Sequence, residues 1–379
     1  MTRQQTAPDG GFFWTVIRLR WLILLIGILA IAGTGINLPK LVKDTTAGAF
    51  IDPENPALLY RERVEDLFGL RDPIVVAVVA RGEDGIYTPA TLDLVAWLTE
   101  RIGGLGDIDP ERVVSLATES NVVGTNDGME VEKFFDTPPG TPGRAAWIRD
   151  AIADFPLYQG NLVARDGTAT MIVAELLDED LAEPAFEAIE ALTREAPVPP
   201  GTEIYIAGES AVAGYLSSYI DRDAARLNPM AGLIITLVLF AAFRTLRGAL
   251  VPNLVVLATV AITLGTMAAA GIPFYIITNG LIVCLIGISI ADSIHVFSTF
   301  YDLRRSRPDL GKQELIVRVM QEKWRPILLT SLTTIAGFLA LWPTNDMPPI
   351  RYCGLFGARG VAVALVYTEI FLPALLAIL

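Results

Sequence analysis

IITNGLIVCLIGISIADSIHVFS, residues 276–298, is an apolar run whose only acid is Asp292. Its length is near the roughly 20 residues that a helix needs to cross the hydrocarbon of a bilayer. A carboxylate at such a depth costs at least about 2.5–3.5 kcal/mol on insertion scales, so its presence asks for a reason. Outward from this run, similar spans can be drawn at residues 229–243, 249–269, 326–342 and 353–379, and a further one at Trp21–Leu38. The long stretch between the first span and the second is polar. The expected architecture is therefore a membrane all-α bundle of six transmembrane helices carrying an inserted α+β domain. The division expected is a tail and first helix in residues 1–38, the inserted domain in 39–228, and five helices in 229–379.

Composition agrees with a membrane chain. Hydrophobic residues make up 52% of the sequence and the mean hydropathy is +0.48, which an ordinary soluble domain does not reach. Bases set the orientation, because Lys and Arg beside short loops stay cytoplasmic. Arg18 and Arg20 precede the first span, Arg244 and Arg247 separate the second from the third, and Arg304, Arg305, Arg307, Lys312, Arg318, Lys323 and Arg325 separate the fourth from the fifth. All three segments fall on one side, so residues 39–228 are expected outside the cytoplasm, with the chain multi-pass in the inner (plasma) membrane. That stretch holds 34 of the 42 acids and 15 of the 29 bases, so it carries −19 against +6 in the remainder, and the net −13 of the chain comes from it and gives no reason to expect nucleic acid as a partner. A cleaved signal peptide is the competing reading of the first span, with Ala30-Ile31-Ala32 as a cleavage motif. The apolar run continues through Ile36 and Leu38, which favours an anchor.

Several kinds of chemistry find no support. There is no Walker-type phosphate loop, and a single histidine cannot build a His-based metal cluster. Cys284 and Cys353 lie in or beside apolar spans and read as small apolar residues. No enzyme activity, metal or organic cofactor is expected.

Within 39–228, strands are predicted at Asp72–Ala80 (DPIVVAVVA) and Arg112–Thr118, with helical spacing over Pro89–Ile102. A second round follows: helix over Gly143–Phe155, paired strands at Gly160–Arg165 and Thr168–Leu177, helix over Ala182–Glu195 and strand at Glu203–Ala207. Helices on one face of a small sheet satisfy this order. The Pro- and Gly-rich Phe134–Gly143 reads as a linker.

Two runs carry specific motifs: GISIADSIHVF (287–297) and RPILLTSLTTIAGFLAL (325–341). Together with PPIRYCGLF (348–356), LPALL (372–376), FIDPENPALLYRERVEDLFG (50–69) and FRTLRGALVPNL (243–254), in that family's order along the chain, the sequence resembles the resistance-nodulation-cell division superfamily. The resemblance is strongest to its lipid-exporter-like branch related to the mycobacterial membrane protein large family. It implies a pump that uses protons as coupling ion to move hydrophobic small molecules or lipids. Such pumps have twelve spans in two similar halves, of which this chain shows one. It ends within an apolar run at Leu379, so either a longer chain, a second half or a homo-oligomer is expected. Many relatives carry two adjacent acids in the fourth span. Here Ala291 takes the first position and Asp292 the second.

The proton relay expected from this pattern centres on Asp292. Ser289 and His295, three residues to either side, share its helix face and can hydrogen-bond the carboxyl group. Thr330, Ser331, Thr333 and Thr334 of the fifth span are the candidate partners across the interface, with Thr330 and Thr334 placed in the relay. Against this stand plainer readings: Asp292 as a neutral helix bridge, His295 as an interfacial residue, and the hydroxyls bonded to their own helix. Arg359 reads as a snorkelling arginine, Gly354, Gly357 and Gly360 as a close-packing face, and Glu369 has no reading. A sterol-sensing-like lipid sensor and a proton-driven accessory of protein export are the alternative functions.

Overall fold

A computed structural model of the chain describes residues 11–69, 71–125, 128–135, 141–155 and 157–379. In chain order, α1 (Gly11–Arg18) and α2 (Arg20–Gly35) lead through β1 (Lys43–Asp44) to α3 (Pro56–Phe68), β2 (Ile74–Ala80), α4 (Pro89–Gly103), β3 (Ile108–Val114), β4 (Ser120–Thr125) and β5 (Gly128–Lys133). Then follow α5 (Pro142–Asp154), β6 (Ala169–Leu176), α6 (Ala182–Glu195), β7 (Thr202–Ala207), α7 (Glu209–Phe243), α8 (Leu246–Ala269) and β8 (Phe274–Tyr275). The chain closes with α9 (Ile276–Ser306), α10 (Lys312–Thr344) and α11 (Pro348–Val366), which runs through a π-helical turn (Tyr367–Phe371) into α12 (Leu372–Leu376). Two compact units result, one of residues up to 44, 49–52 and 220–379, the other of 45–48 and 53–219.

The first unit is a helix bundle. Among the described residues six helical segments are long and apolar enough to cross a membrane, at Arg20–Lys40, Glu209–Phe243, Leu246–Ala269, Ile276–Ser306, Lys312–Thr344 and Pro348–Leu376. They coincide with the six apolar blocks, but α7 begins at Glu209, well ahead of the expected start at Pro229, and carries that proline in its interior. Small residues set the closest helix contacts. A Cβ at Gly354 or Gly357 would meet α10 at Phe338, and one at Gly360 would meet Leu285 of α9. Gly27 of α2 leaves the same kind of space for the Phe371 ring, and the Tyr367 hydroxyl donates to the Gly27 carbonyl at 2.8 Å. Leu22, Leu25, Ile26 and Leu29 of α2 and Leu233, Leu237 and Val238 of α7 remain uncovered by protein. Such continuous apolar faces fit hydrocarbon rather than water.

The second unit is built on an antiparallel four-stranded sheet in the order β3-β6-β2-β7. Along β2 the alternate residues Ile74, Val76, Val78 and Ala80 are buried, as the two-residue period of a strand requires. They pack with Leu92, Val95 and Leu98 of α4, Ile148 and Ile152 of α5, and Ile189 of α6 in one core. Thr88 and Thr141 cap α4 and α5 through their hydroxyls, each followed by a proline at the first helical position.

Several local expectations differ from what is found. The strand expected at Arg112–Thr118 lies earlier, at Ile108–Val114, because Ser115 and Thr118 turn the chain with local bonds: Ala117 N–H donates to Ser115 Oγ, and Ser115 N–H to Thr118 Oγ1. The strand expected at Gly160–Arg165 reduces to isolated bridges at Val163, since Gly160 and Gly167 take positive φ values of 86° and 70° and fold the segment into turns. The β4–β5 hairpin was not expected at all. Of the linker at 134–143, residues 136–140 lie outside the described residues.

Candidate functional site

The helical period of α9 brings Leu285, Ser289, Asp292, Ser293 and Val296 to its covered side. Asp292 is 8% exposed, Ser289 and Ser293 are fully buried, and His295 is exposed. Ser289 donates to the Leu285 carbonyl and Ser293 to the Ser289 carbonyl, so both hydroxyls serve their own helix and neither bonds the carboxyl group. His295 lies at the edge of the site, within electrostatic reach of Asp292.

The threonines of α10 behave in the same way. Thr330 Oγ1 donates to the carbonyls of Pro326 and Ile327, and Thr333 and Thr334 both donate to the Thr330 carbonyl. Thr330 is exposed and Thr334 half-buried. Neither Thr330 nor Thr334 thus hydrogen-bonds Asp292. Ser331 is the α10 hydroxyl that faces the carboxyl group, and it is 2% exposed. Even so, neither Ser331 Oγ nor Asp292 Oδ2 closes a hydrogen bond of normal geometry.

Sequence reasoning left a second acid without a role. Glu369 sits in the π-helical turn, and its Oε1 is buried without a partner, as is Thr368 Oγ1 beside it. The turn packs against α9, which places the Glu369 carboxyl group within electrostatic reach of Asp292. Asp292 Oδ2, Ser331 Oγ, Thr368 Oγ1 and Glu369 Oε1 are the only buried side-chain polar atoms without a partner among the described residues. An unpartnered buried oxygen costs about 1–3 kcal/mol, so four in one bundle mark a place where stability has been given up. The signal was present in the sequence, since Glu369 is the other acid lying inside an apolar span.

The remaining candidates fall elsewhere. Arg359 is exposed, and Cys284 and Cys353 are free thiols. Among the described residues no group of three or more His, Cys, Asp or Glu side chains could hold a metal ion.

Six apolar segments that bury acids and hydroxyls among themselves define a multi-pass membrane protein organised around a polar site inside its bundle. The chain belongs to the MMPL family, a branch of the resistance-nodulation-cell division superfamily, whose sequence pattern matches residues 90–379. Over 368 residues it is 24% identical to a candidate membrane protein of Methanocaldococcus jannaschii, with 94% of this chain and 90% of that protein covered.

Proposed function

We propose that the chain exports hydrophobic or amphiphilic molecules, lipid-like or drug-like, across the plasma membrane, driven by the proton gradient. It acts as one half of a transporter, completed by a second half or a second copy. Membership in the MMPL family supports transport of hydrophobic substrates in general. The observation that carries the proton-driven reading is Asp292, a carboxyl group buried inside a membrane helix with one oxygen unpartnered. Ionised, such a group is strongly disfavoured by the surrounding hydrocarbon and protein; protonated, it is tolerated. Gaining and losing a proton there biases how α9, α10 and the last helix pack, and two such packings are what a pump needs.

In this reading the unit of residues 45–48 and 53–219 is an inserted α+β domain outside the cytoplasm, where its acidic surface is solvated and disfavours anionic substrates at long range. The bases between the spans support that orientation. The chain performs no covalent chemistry and needs no cofactor beyond the coupling proton.

The test is Asp292→Asn in proteoliposomes, with Nile red and an NBD-labelled phospholipid as probes and an imposed pH gradient as the driving force. Asn keeps the size and removes the proton. Flux of the probe that the wild type moves should fall at least tenfold while insertion and melting behaviour are kept. Full flux from Asp292→Asn would show that Asp292 does not carry the coupling proton, and no flux of either probe from the wild type would favour the lipid-sensor reading.

A further inference from the structure

The last membrane helix is interrupted at a defined place. Pro373 has no N–H to give to the carbonyl of Glu369 four residues earlier, and its ring crowds that carbonyl. The helix responds with a wide turn over Tyr367–Phe371, in which the Leu372 N–H reaches back five residues to the Tyr367 carbonyl. The Tyr367 hydroxyl fastens the turn to α2 at Gly27. Thr368 is fully buried here and Glu369 is partly buried, and each contributes an oxygen without a partner.

The surroundings of the two acids can be named element by element. From α9 come Asp292, 8% exposed, and the exposed His295. From α10 comes Ser331, and residues 326–345 of that helix and its end hold no charged side chain. The charged residues of α2 and α8 are Arg20 and Arg247, each at the start of its helix. Arg359 of α11 is exposed and lies ten residues before Glu369. No ion pair to either acid is found among the described residues, and α9 packs against the π-helical turn, so two carboxyl groups, each with a buried unpartnered oxygen, lie within electrostatic reach of each other.

Two carboxylates within electrostatic reach of each other in a medium of low polarity do not both ionise readily, and such groups titrate as a pair rather than singly. Resting on the reading of Asp292 as the coupling acid, we infer that Asp292 and Glu369 form one proton-binding site spread over two helices, with Ser331 and Thr368 as its hydroxyl lining. In the resting state the pair holds one proton and a charge of −1. The O–H bond on one carboxyl breaks as the proton passes to a carboxylate oxygen of the other, so the charge is conserved. Loading a second proton from the external side makes the pair neutral, and its release to the cytoplasm restores −1. The hydroxyls accept from a protonated carboxyl or donate to an ionised one, which explains why such groups are kept here without fixed partners.

The inference is tested on proton binding itself, which requires no substrate. The purified chain in nanodiscs is titrated while the carbonyl stretch of protonated carboxyl groups is followed by infrared difference spectroscopy, for the wild type, Asp292→Asn, Glu369→Gln and Glu369→Asp. The wild type should show two linked transitions. Removal of either acid should leave one, displaced towards lower pH by at least one pH unit relative to the upper transition of the wild type. Glu369→Asp should restore two, which separates loss of the proton from damage to the fold. Independent transitions, with Asp292 titrating identically in the wild type and in Glu369→Gln, would overturn the pair. Displacement of the protonated bands by sodium at constant pH would also overturn it, in favour of a metal-cation site. If Asp292→Asn abolishes flux while the spectra show no linkage, the pump stands and the pair falls. Linked spectra with no pH-driven flux of any probe give the reverse.

Discussion

The two units treat buried polar groups in opposite ways. In the unit of residues 45–48 and 53–219, acids and hydroxyls are matched to partners. Arg61 gathers three carboxylates, bonding Glu65, Asp72 at 2.7 Å and Glu209 at 3.3 Å. Ser217 and Ser218 donate to Glu183 and Glu187, and the buried Thr99 hydroxyl bonds both the Val95 carbonyl and Ser115. In the helix bundle most hydroxyls turn back to their own helix, and the four buried oxygens left without partners all lie there. A bundle in hydrocarbon has the stronger reason to satisfy its polar groups, since no water can substitute. That it leaves these unsatisfied argues for use rather than neglect.

The largest effect expected on this contrast is from Gly357→Val, which drives a branched side chain into Phe338. Overpacking of this kind costs about 1–3 kcal/mol and would separate α10 from α11, carrying Ser331 away from Asp292. The melting temperature in detergent should drop and the infrared transitions should broaden. An unchanged melt would show that the glycine face does not hold the site together.

A smaller and pH-dependent effect belongs to Arg61→Met. Burial first, and Glu209 second, hold the Asp72 carboxyl above its ordinary range, and Arg61 opposes this. A raised acid supports the folded state below the ordinary carboxylate range and ceases to do so as pH rises through it, so the counter-charge matters at neutral pH. Loss of Arg61 should cost about 1 kcal/mol at pH 7, after allowance for its partial exposure, and the deficit should shrink as pH falls towards the ordinary carboxylate range, because the raised Asp72 takes up its proton before that range is reached. A deficit that stays constant with pH in denaturant titrations would mean that Arg61 acts by packing alone.

The sharpest comparison is one of sign. Thr→Val is nearly isosteric, so Thr99→Val should destabilise by about 1 kcal/mol through two lost bonds, whereas Thr368→Val removes an unpartnered hydroxyl and should stabilise by a similar amount. Equal signs in thermal melts would erase the contrast between the units. The smallest effect is reserved for Thr334→Val, whose hydroxyl serves only its own helix. Flux within twofold of the wild type is expected, and a tenfold loss would bring Thr334 back into the relay.

The spans were legible because apolar blocks of bilayer length need no tertiary context to be recognised. Asp292 was legible for the same reason, as a charge inside such a block. Choosing Ser331 over Thr330 required knowing which side of α10 meets α9, since adjacent residues on a helix point about 100° apart, whereas Thr334 shares the side of Ser331 and spends its hydroxyl on the Thr330 carbonyl. Glu369 stood in the sequence as plainly as Asp292, but the turn that brings it towards Asp292 depends on how the chain answers Pro373 and on the fastening to Gly27. In the other unit, β2 and α6 followed from alternation and helical spacing. The β4–β5 hairpin was passed over although Asn126-Asp127-Gly128 is a turn signal between β-rich runs.

A π-helical turn fits one more residue into a helix than regular winding would. Excising a single residue from Tyr367–Phe371 would return the segment to α-helical spacing and leave the helix on either side nearly in register, so the change would fall on the side chains of the turn itself. Such a shorter chain would keep every span, every apolar block and both acids, yet Glu369 would lose the wide turn that sets the direction of its side chain. Among relatives, then, a one-residue gap before the LPALL motif should tell more about how protons are handled than a substitution at either acid. The count of residues in one helix becomes a heritable character in its own right.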